Sequence, residues 1–150
     1  MRGEEKRYEE DELFNSEVVE LVERHHGLNY VSHRRWVKVM DFEVDVLATF
    51  ETLERRLKRV VVFELKKGGN WEECISQAFE RMAIANYAYA VLEAPCLSDL
   101  VSFMIDREGV AQMLRKGVGV VAYVRSVGPR PLLVRKAKFR ATSNLLSYCQ

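Results

Sequence analysis

The sequence predicts an α/β domain with a mixed central β-sheet flanked by helices on both faces. The chain has 150 residues, 48% of them hydrophobic, which suits a single domain over 1–150 with a sizeable core. The predicted elements run helix, three strands, helix, strand, helix and two strands. An opening meander followed by crossover helices is typical of a mixed sheet covered on both sides.

The first half of the chain is predicted to form one helix and three strands. Residues 11–26 carry apolar residues at helical spacing, and Gly27 provides a stop. Residues 29–40 and 42–50 are rich in β-branched and aromatic residues, which favours strands. Alternation in the second of these strands places four apolar residues on one face: Phe42, Val44, Val46 and Ala48. The nearly continuous apolar run at 59–66 indicates a central strand covered on both faces.

The second half is predicted to alternate helices with strands. The segments are a helix over 71–86, a strand over 87–92, a helix over 97–115 with a break near Gly109, a strand over 117–124 and an edge strand over 132–139. The bases in the last segment are typical of an edge that avoids pairing with other chains. The charged residues 1–10 are candidates for fraying.

The charges are unevenly distributed along the chain. Residues 1–23 hold nine acids and three bases, whereas the remaining residues hold 13 acids and 20 bases. After Glu108 there is no acid, and eight bases follow. A one-signed segment predicts a polyanion-binding face. The alternative, a solvated face balanced in space by the acidic N-terminal segment, stays open.

Cysteine usage and hydropathy bear on the compartment. The three cysteines have no C-x-x-C spacing, which argues against a disulfide framework and a cysteine zinc site. No apolar run approaches the roughly 18 residues that a transmembrane helix needs, and the opening residues lack the apolar stretch of a secretory signal. A cytoplasmic protein without a membrane association is therefore expected.

Glu64 and Lys66 lie at the end of the predicted central strand. Because side chains alternate along a strand, both point the same way, roughly 6.5–7 Å apart. If the preceding strand brings Asp45 alongside, the two carboxylates repel each other, and a divalent cation relieves that repulsion. Such a cation would turn a bound water into a nucleophile, while Lys66 orients that water or stabilises charge on a phosphate.

The alternative for these three residues is a buried salt-bridge network, a costly way to stabilise a fold. The two hypotheses predict different geometries. Carboxylates close together and open to solvent predict a cation site, whereas a dry, closed cluster predicts a structural role. Alternation also places Asp41 and Glu43 on the side of Asp45, so a larger acidic cluster stays open.

In this sequence an Asp is followed, after 18 intervening residues, by Glu-x-Lys on a predicted buried strand. This pattern resembles that of the PD-(D/E)XK nuclease superfamily, which has the restriction-endonuclease-like fold. The matching segments here are 42–48 (FEVDVLA) and 61–66 (VVFELK). The later strands at 88–92 and 117–124 also look like strands of that fold, so that the resemblance covers about residues 10–125. Val44 stands where the motif's name has proline.

The resemblance implies roles for individual residues. Asp45 and Glu64 would ligate the metal, with the Leu65 carbonyl and a glutamate of the first helix. Glu17 is the candidate for that glutamate, because it borders the apolar stripe of the helix, although a solvated acid explains it equally well. Gln77 matches a helical Gln of many members and would hold a water or phosphate; a surface position is its alternative. For Arg81, one turn later, an ion pair is favoured over a phosphate contact.

The function implied is a Mg²⁺-dependent or Mn²⁺-dependent nuclease that hydrolyses DNA phosphodiester bonds. Since no separate recognition domain is visible, structure-selective or non-specific cutting is expected. The candidates for DNA backbone contact are Arg34, Arg35, Lys116, Arg125, Arg135, Lys136 and Lys138. A homodimer would supply two cuts, by analogy with junction resolvases of the superfamily.

Two other functions remain open at this point. The first is a catalytically inactive DNA-binding or assembly protein with the nuclease fold, in which the basic C-terminal segment matters and the carboxylates do not. The second is a nuclease subunit that a partner activates through the acidic N-terminal segment.

Overall fold

A computed structural model describes residues 9–142. The helices are α1 (Ser16–His26), α2 (Trp71–Arg81), α3 (Leu97–Asp106) and α4 (Glu108–Lys116), with a 3₁₀ turn, Met82–Ile84, after α2. The strands are β1 (Leu28–Val39), β2 (Phe42–Thr52), β3 (Lys58–Lys66), β4 (Tyr87–Ala94), β5 (Gly119–Val124) and β6 (Pro131–Arg135). Residues 1–8, most of the segment predicted to fray, lie outside the described part of the chain.

The strands form one six-stranded mixed sheet in the order β1-β2-β3-β4-β5-β6. The β1–β2, β2–β3 and β5–β6 pairs are antiparallel, and the β3–β4 and β4–β5 pairs are parallel. Each parallel pair is joined by a helical crossover, α2 for the first and α3 with α4 for the second. The α/β class and the mixed sheet predicted from the sequence are confirmed.

Helices cover both faces of the sheet, as predicted. On one face, α2, α3 and α4 bury residues such as Ile75, Leu100 and Leu114 against the sheet; we call this the three-helix face. On the other, α1 and the turn before it bury Val18 and Phe14; we call this the α1 face. None of the helices within residues 9–142 has the length and apolar character that a bilayer-spanning segment requires.

Helix α1 begins later than the apolar spacing predicts. Asn15 is its N-cap: the side-chain oxygen accepts the N–H groups of Glu17 and Val18. Phe14 therefore precedes the helix and packs against Phe63, with ring centroids 4.8 Å apart. Gly27 ends the helix with φ 63°, as predicted.

Strand β2 does not keep its predicted alternation. Val44 packs on the three-helix face, whereas Val46 and Ala48 pack on the α1 face, so the prediction that they share a face is wrong. The reason lies between them, at Asp45. The β2–β3 ladder ends at the pair of Val46 and Phe63, and beyond it the two strands separate.

Candidate functional site

Asp45 and Glu64 lock together where β2 and β3 separate. The backbone N–H of Asp45 donates to Glu64 Oε2 at 3.0 Å. In return, the N–H of Leu65 donates to Asp45 Oδ2 at 2.9 Å. These side-chain acceptors replace the backbone acceptors that a continued ladder would supply. The two carboxylates are thereby held side by side.

Glu64 is buried, with only 2% of its surface exposed. Burial and the neighbouring negative charge of Asp45 raise its pKa to about 8, with Glu43 contributing, while the Asp45 N–H and Arg81 act in the opposite direction. A carboxyl group with this pKa holds a proton much of the time at neutral pH. A cation that binds it has to displace that proton.

Arg81 of α2 is the built-in cation of the site. Its Nε lies 2.8 Å from Glu64 Oε1, although the N–H direction is too far from that oxygen for a hydrogen bond. The rest of the guanidinium donates to the carbonyls of Glu43 and Gln77 and lies over the Phe42 ring. The ion pair favoured for Arg81 from the sequence is present, and α2 and β2 both hold it in place.

Lys66 and Gln77 meet at a shared carboxylate of α2. The Lys66 ammonium lies 3.7 Å from Glu73 Oε1, and the Gln77 amide donates to the same oxygen at 3.4 Å. The Lys66 side chain is 19% exposed, so it borders solvent. The structure thus places Asp45, Glu64, Lys66 and Gln77 at one end of β3, beside α2.

Glu17 does not belong to this group, which corrects its assignment as a metal ligand. Its carboxylate is half exposed and faces Arg130, 3.8 Å away. The assignment of Glu17 rests on its angular distance to Phe14 on one continuous helix. Because Asn15 caps the helix and Phe14 precedes it, that angle does not describe the structure. The correction follows from this late start of α1.

Glu10 is the N-terminal acid that lies near the site, and sequence reasoning missed it. Glu10 Oε2 accepts the N–H of Lys67 at 3.0 Å, just beyond Lys66. The charges of Glu64, Asp45 and Glu10 also raise the pKa of the buried Cys74 thiol, after burial itself. Glu10 was not predicted, because it belongs to the segment expected to fray and no motif in the sequence distinguishes it.

The predicted DNA contacts do not form one surface. Arg34 and Arg35 lie on β1 and Arg135 on β6, the two opposite edges of the sheet, about 24 Å apart at the usual strand spacing. Arg35 is engaged by Asp11 and the Phe14 carbonyl, and Arg135 by the Leu114 carbonyl. The exposed members of the set are Arg34, Lys116, Arg125, Lys136 and Lys138.

The donor set of the site meets only part of what Mg²⁺ needs. Two carboxylates are hard oxygen ligands, and Mg²⁺ is often bound by only one or two of them together with water and phosphate. However, one oxygen of Asp45 and one of Glu64 each accept a hydrogen bond from a backbone N–H, and the other Glu64 oxygen, Oε1, contacts Arg81. Within residues 9–142 no group of three or more His, Cys, Asp or Glu could hold a metal. For Mg²⁺ to bind these two carboxylates, Arg81 would have to move away from Glu64 Oε1.

Comparisons with known proteins leave the family open. No protein-family model matches the chain, and no curated protein matches it. Among solved structures, a protein of unknown function from Silicibacter pomeroyi is similar with a TM-score of 0.47 and 14% identity. The match covers 86% of this chain and 73% of that protein.

Proposed function

We propose that the protein is a metal-dependent nuclease that hydrolyses phosphodiester bonds in DNA. The observation that carries the proposal is the locked pair of Asp45 and Glu64 at the separation of β2 and β3, with Lys66 two residues after Glu64 on the same strand. Two carboxylates that repel each other are suited to binding a cation, and a nearby ammonium is suited to binding a phosphate. Neither arrangement is a favourable way to stabilise a protein core.

The residues divide the chemistry between them. Asp45 and Glu64 would hold Mg²⁺ or Mn²⁺, together with the Leu65 carbonyl. When bound, the ion lowers the pKa of a water molecule and polarises the phosphate. To serve as a ligand, Glu64 would have to be ionised, with its proton released to solvent, and Arg81 would have to be displaced from Oε1.

Lys66 and Gln77 act on the substrate side. The Lys66 ammonium stabilises the negative charge that builds up on the phosphate, and Glu73 holds it in place through their contact. Gln77, bound to the same carboxylate, positions a water or phosphate oxygen.

The remaining proposals concern the setting of the reaction. The exposed bases suit contacts with the DNA backbone rather than with base edges, so we expect structure-selective or non-specific cutting. The free thiols of Cys74 and Cys96 suit a reducing compartment such as the cytoplasm. A homodimer stays a prediction, and light scattering of the purified protein measures it.

The test is a cleavage assay with Mg²⁺ or Mn²⁺ on duplex, flap, junction and single-stranded DNA. Glu64→Gln and Lys66→Gln keep the side-chain shape approximately and are expected to lower the rate at least about 100-fold. Glu72→Gln is the matched control, because Glu72 is an exposed acid of α2 that pairs with Arg107. If wild type cuts no faster than Glu64→Gln on every substrate, the nuclease proposal is wrong.

The second candidate is a non-catalytic protein with the same fold, and the Arg81–Glu64 contact favours it. By this hypothesis the guanidinium permanently takes the place of the cation, and the cluster is closed. Calorimetric titration with Mn²⁺ separates the two. The nuclease proposal expects binding that Glu64→Gln weakens at least about tenfold and Arg81→Met strengthens, since a competing positive charge is removed. No Mn²⁺ binding to wild type or Arg81→Met supports the non-catalytic protein.

A further inference from the structure

A basic cleft lined with aromatic rings lies on the α1 face, away from the carboxylates. Its volume is about 410 Å³, and it runs between the end of α1, the start of β4 and the extended chain after β6. The lining residues are His25, His26, Tyr87, Lys136, Ala137, Lys138 and Phe139. No acid is found among these described residues. The cleft therefore combines ring surfaces with positive charge.

The rings form a continuous series along the cleft. The guanidinium of Arg59 lies over the Phe139 ring, 4.9 Å from its centroid. The Phe139 and Tyr87 centroids are 5.7 Å apart, and those of Tyr87 and His26 are 4.0 Å apart. Phe139 nevertheless leaves 50% of its surface exposed, so the last ring of this series is open to solvent beside Arg59.

The walls of the cleft are fixed by hydrogen bonds. The Tyr89 hydroxyl accepts the N–H of Ala137 at 3.1 Å and lies 2.5 Å from His26 Nε2. The buried Asn86 side chain donates to the Arg140 carbonyl and accepts the Val60 N–H. The segment that carries Phe139 is thus bound to the sheet on both sides of that ring, which presents a preorganised surface.

The positive charge around the rings has few partners of its own. Lys136 is exposed, and its charge acts on His26. Arg59 donates to the Lys58 carbonyl while it covers Phe139. Lys138 contributes less, because its ammonium donates to the Arg115 carbonyl at 2.6 Å. Lys136 and Arg59 are the bases best placed for an anionic ligand.

Flat π-systems joined by negative charges match this surface. An exposed ring beside a guanidinium offers stacking to every nucleobase, whereas a basic groove follows the phosphates. Base pairs in a duplex hide the ring faces that such a site needs, and an acidic peptide would leave the rings unused.

We propose that the Phe139 cleft binds unpaired nucleotides of single-stranded DNA, with a base stacked on Phe139 and phosphates at Lys136 and Arg59. This inference deepens the proposed function, on which the choice of DNA rests, by naming the form of the substrate. The cleft is separate from the carboxylates. Tyr87 of the cleft pairs with Val61, and Ala90 pairs with Glu64. Tyr87 and Glu64 are therefore three residues, or about 10 Å, apart along the strands, and their side chains lie on opposite faces.

The experiment measures fluorescence anisotropy of a labelled oligothymidylate of about 15 nucleotides, titrated with the protein in EDTA. A duplex of the same length is titrated in parallel. Phe139→Ala is expected to weaken binding of the single strand at least about tenfold, because stacking of one base is lost. Phe139→Leu, which keeps an apolar side chain without the π face, is expected to behave in the same way, and circular dichroism checks that both variants fold.

The salt dependence tests the phosphate contact. Lys136→Gln is expected to reduce the slope of log K against log salt by about 0.7, the amount for one phosphate of a single strand. Phe139→Ala leaves that slope unchanged. Lys38→Gln is the control: it removes an exposed lysine at the far end of β1 and is expected to change the affinity less than about twofold.

The outcomes separate this inference from the nuclease proposal. Normal binding of the single strand by Phe139→Ala and Lys136→Gln overturns the cleft proposal, even if the protein cleaves DNA. Equal binding of the duplex, or equal competition by polyglutamate, also overturns it. Binding that depends on Phe139 without any cleavage supports the cleft and counts against the nuclease.

Discussion

The contact between Arg81 and Glu64 joins stability to function at the scale of single residues. An arginine buried to 11% exposure holds a carboxyl group buried to 2%, and the same carboxyl group is the proposed ligand of a metal ion. The arginine stabilises the charged form of Glu64, whereas burial and Asp45 favour the protonated form. Removing the arginine therefore changes how the stability depends on pH.

Arg81→Met is expected to lower the free energy of unfolding as the pH rises above about 8, by at most about 1.4 kcal/mol for each pH unit, since it leaves a buried charge without its partner. Glu64 has a pKa of about 8 in the folded state, raised from 4.5, so its stabilising contribution is full below about pH 4.5 and is lost as the pH rises through about 8. Loss of Arg81 raises this pKa further. The destabilisation should thus be small at low pH and grow with pH.

Urea denaturation of Arg81→Met between about pH 5 and pH 9 measures this effect. The double variant Glu64→Gln with Arg81→Met should recover most of the stability at high pH, because no buried charge remains. A cost that does not change with pH, or that persists in the double variant, would contradict the assignment of the effect to this pair.

At the scale of elements, the sequence predicts regular segments better than the places where they end or separate. The apolar run of β3 is visible because both of its faces are buried. The separation of β2 from β3 is not visible, since Asp45 and Glu64 replace ladder bonds with side-chain bonds that no residue spacing reveals. Strand spacing could bring Asp45 and Glu64 together, but Glu10 and Arg81 reach the site through tertiary contacts alone.

The close packing of β5 on β4 gives a test of the sheet. A Cβ added to Gly119 would overlap the Tyr89 ring and lie 2.7 Å from the Ala137 nitrogen. Tyr89 cannot move easily, because it is bound to both His26 and Ala137. Gly119→Ala is expected to cost about 3 kcal/mol, measured by urea denaturation. Gly109→Ala is the control: nothing lies within 4 Å in α4, so unchanged or slightly higher stability is expected.

The attachment of α1 to β4 should weaken as the pH falls. Burial, assisted by Lys136 and His25, lowers the pKa of His26 from 6.5 to about 4. Between these values the unfolded chain binds a proton that the folded chain does not, so stability decreases as the pH falls from about 6.5 towards 4. The slope is at most about 1.4 kcal/mol per pH unit, and solvent screening makes it smaller.

Unfolding free energies at several values between about pH 7 and pH 5 test this for wild type and His26→Gln. The variant lacks the titrating ring that meets Tyr87 and Tyr89, so its stability should fall less steeply over this range. Equal slopes for the two proteins would show that His26 titrates normally.

At the scale of the whole molecule, the sheet keeps two candidate sites apart. The carboxylates, Lys66 and Arg81 lie beside α2 on the three-helix face, whereas the rings around Phe139 lie on the α1 face. The charge asymmetry of the sequence becomes less one-sided in three dimensions, because its bases are spread over both edges and both faces. The long basic segment therefore contributes a local cleft rather than one broad surface.

This separation predicts that cleavage and binding respond independently to substitution. Glu64→Gln should abolish cleavage and leave the dissociation constant for single-stranded DNA, measured in EDTA, within about twofold of wild type. Phe139→Ala should weaken binding and leave the cleavage rate at saturating DNA unchanged. Because Glu64 and the cleft lie on opposite faces of the sheet and share no contact, the effects on binding free energy should add in the double variant within about 0.5 kcal/mol. A larger deviation from additivity would mean that the two sites are coupled through the sheet or through one strand of DNA that spans both. Direct contact between the two side chains would not explain it, because they lie on opposite faces.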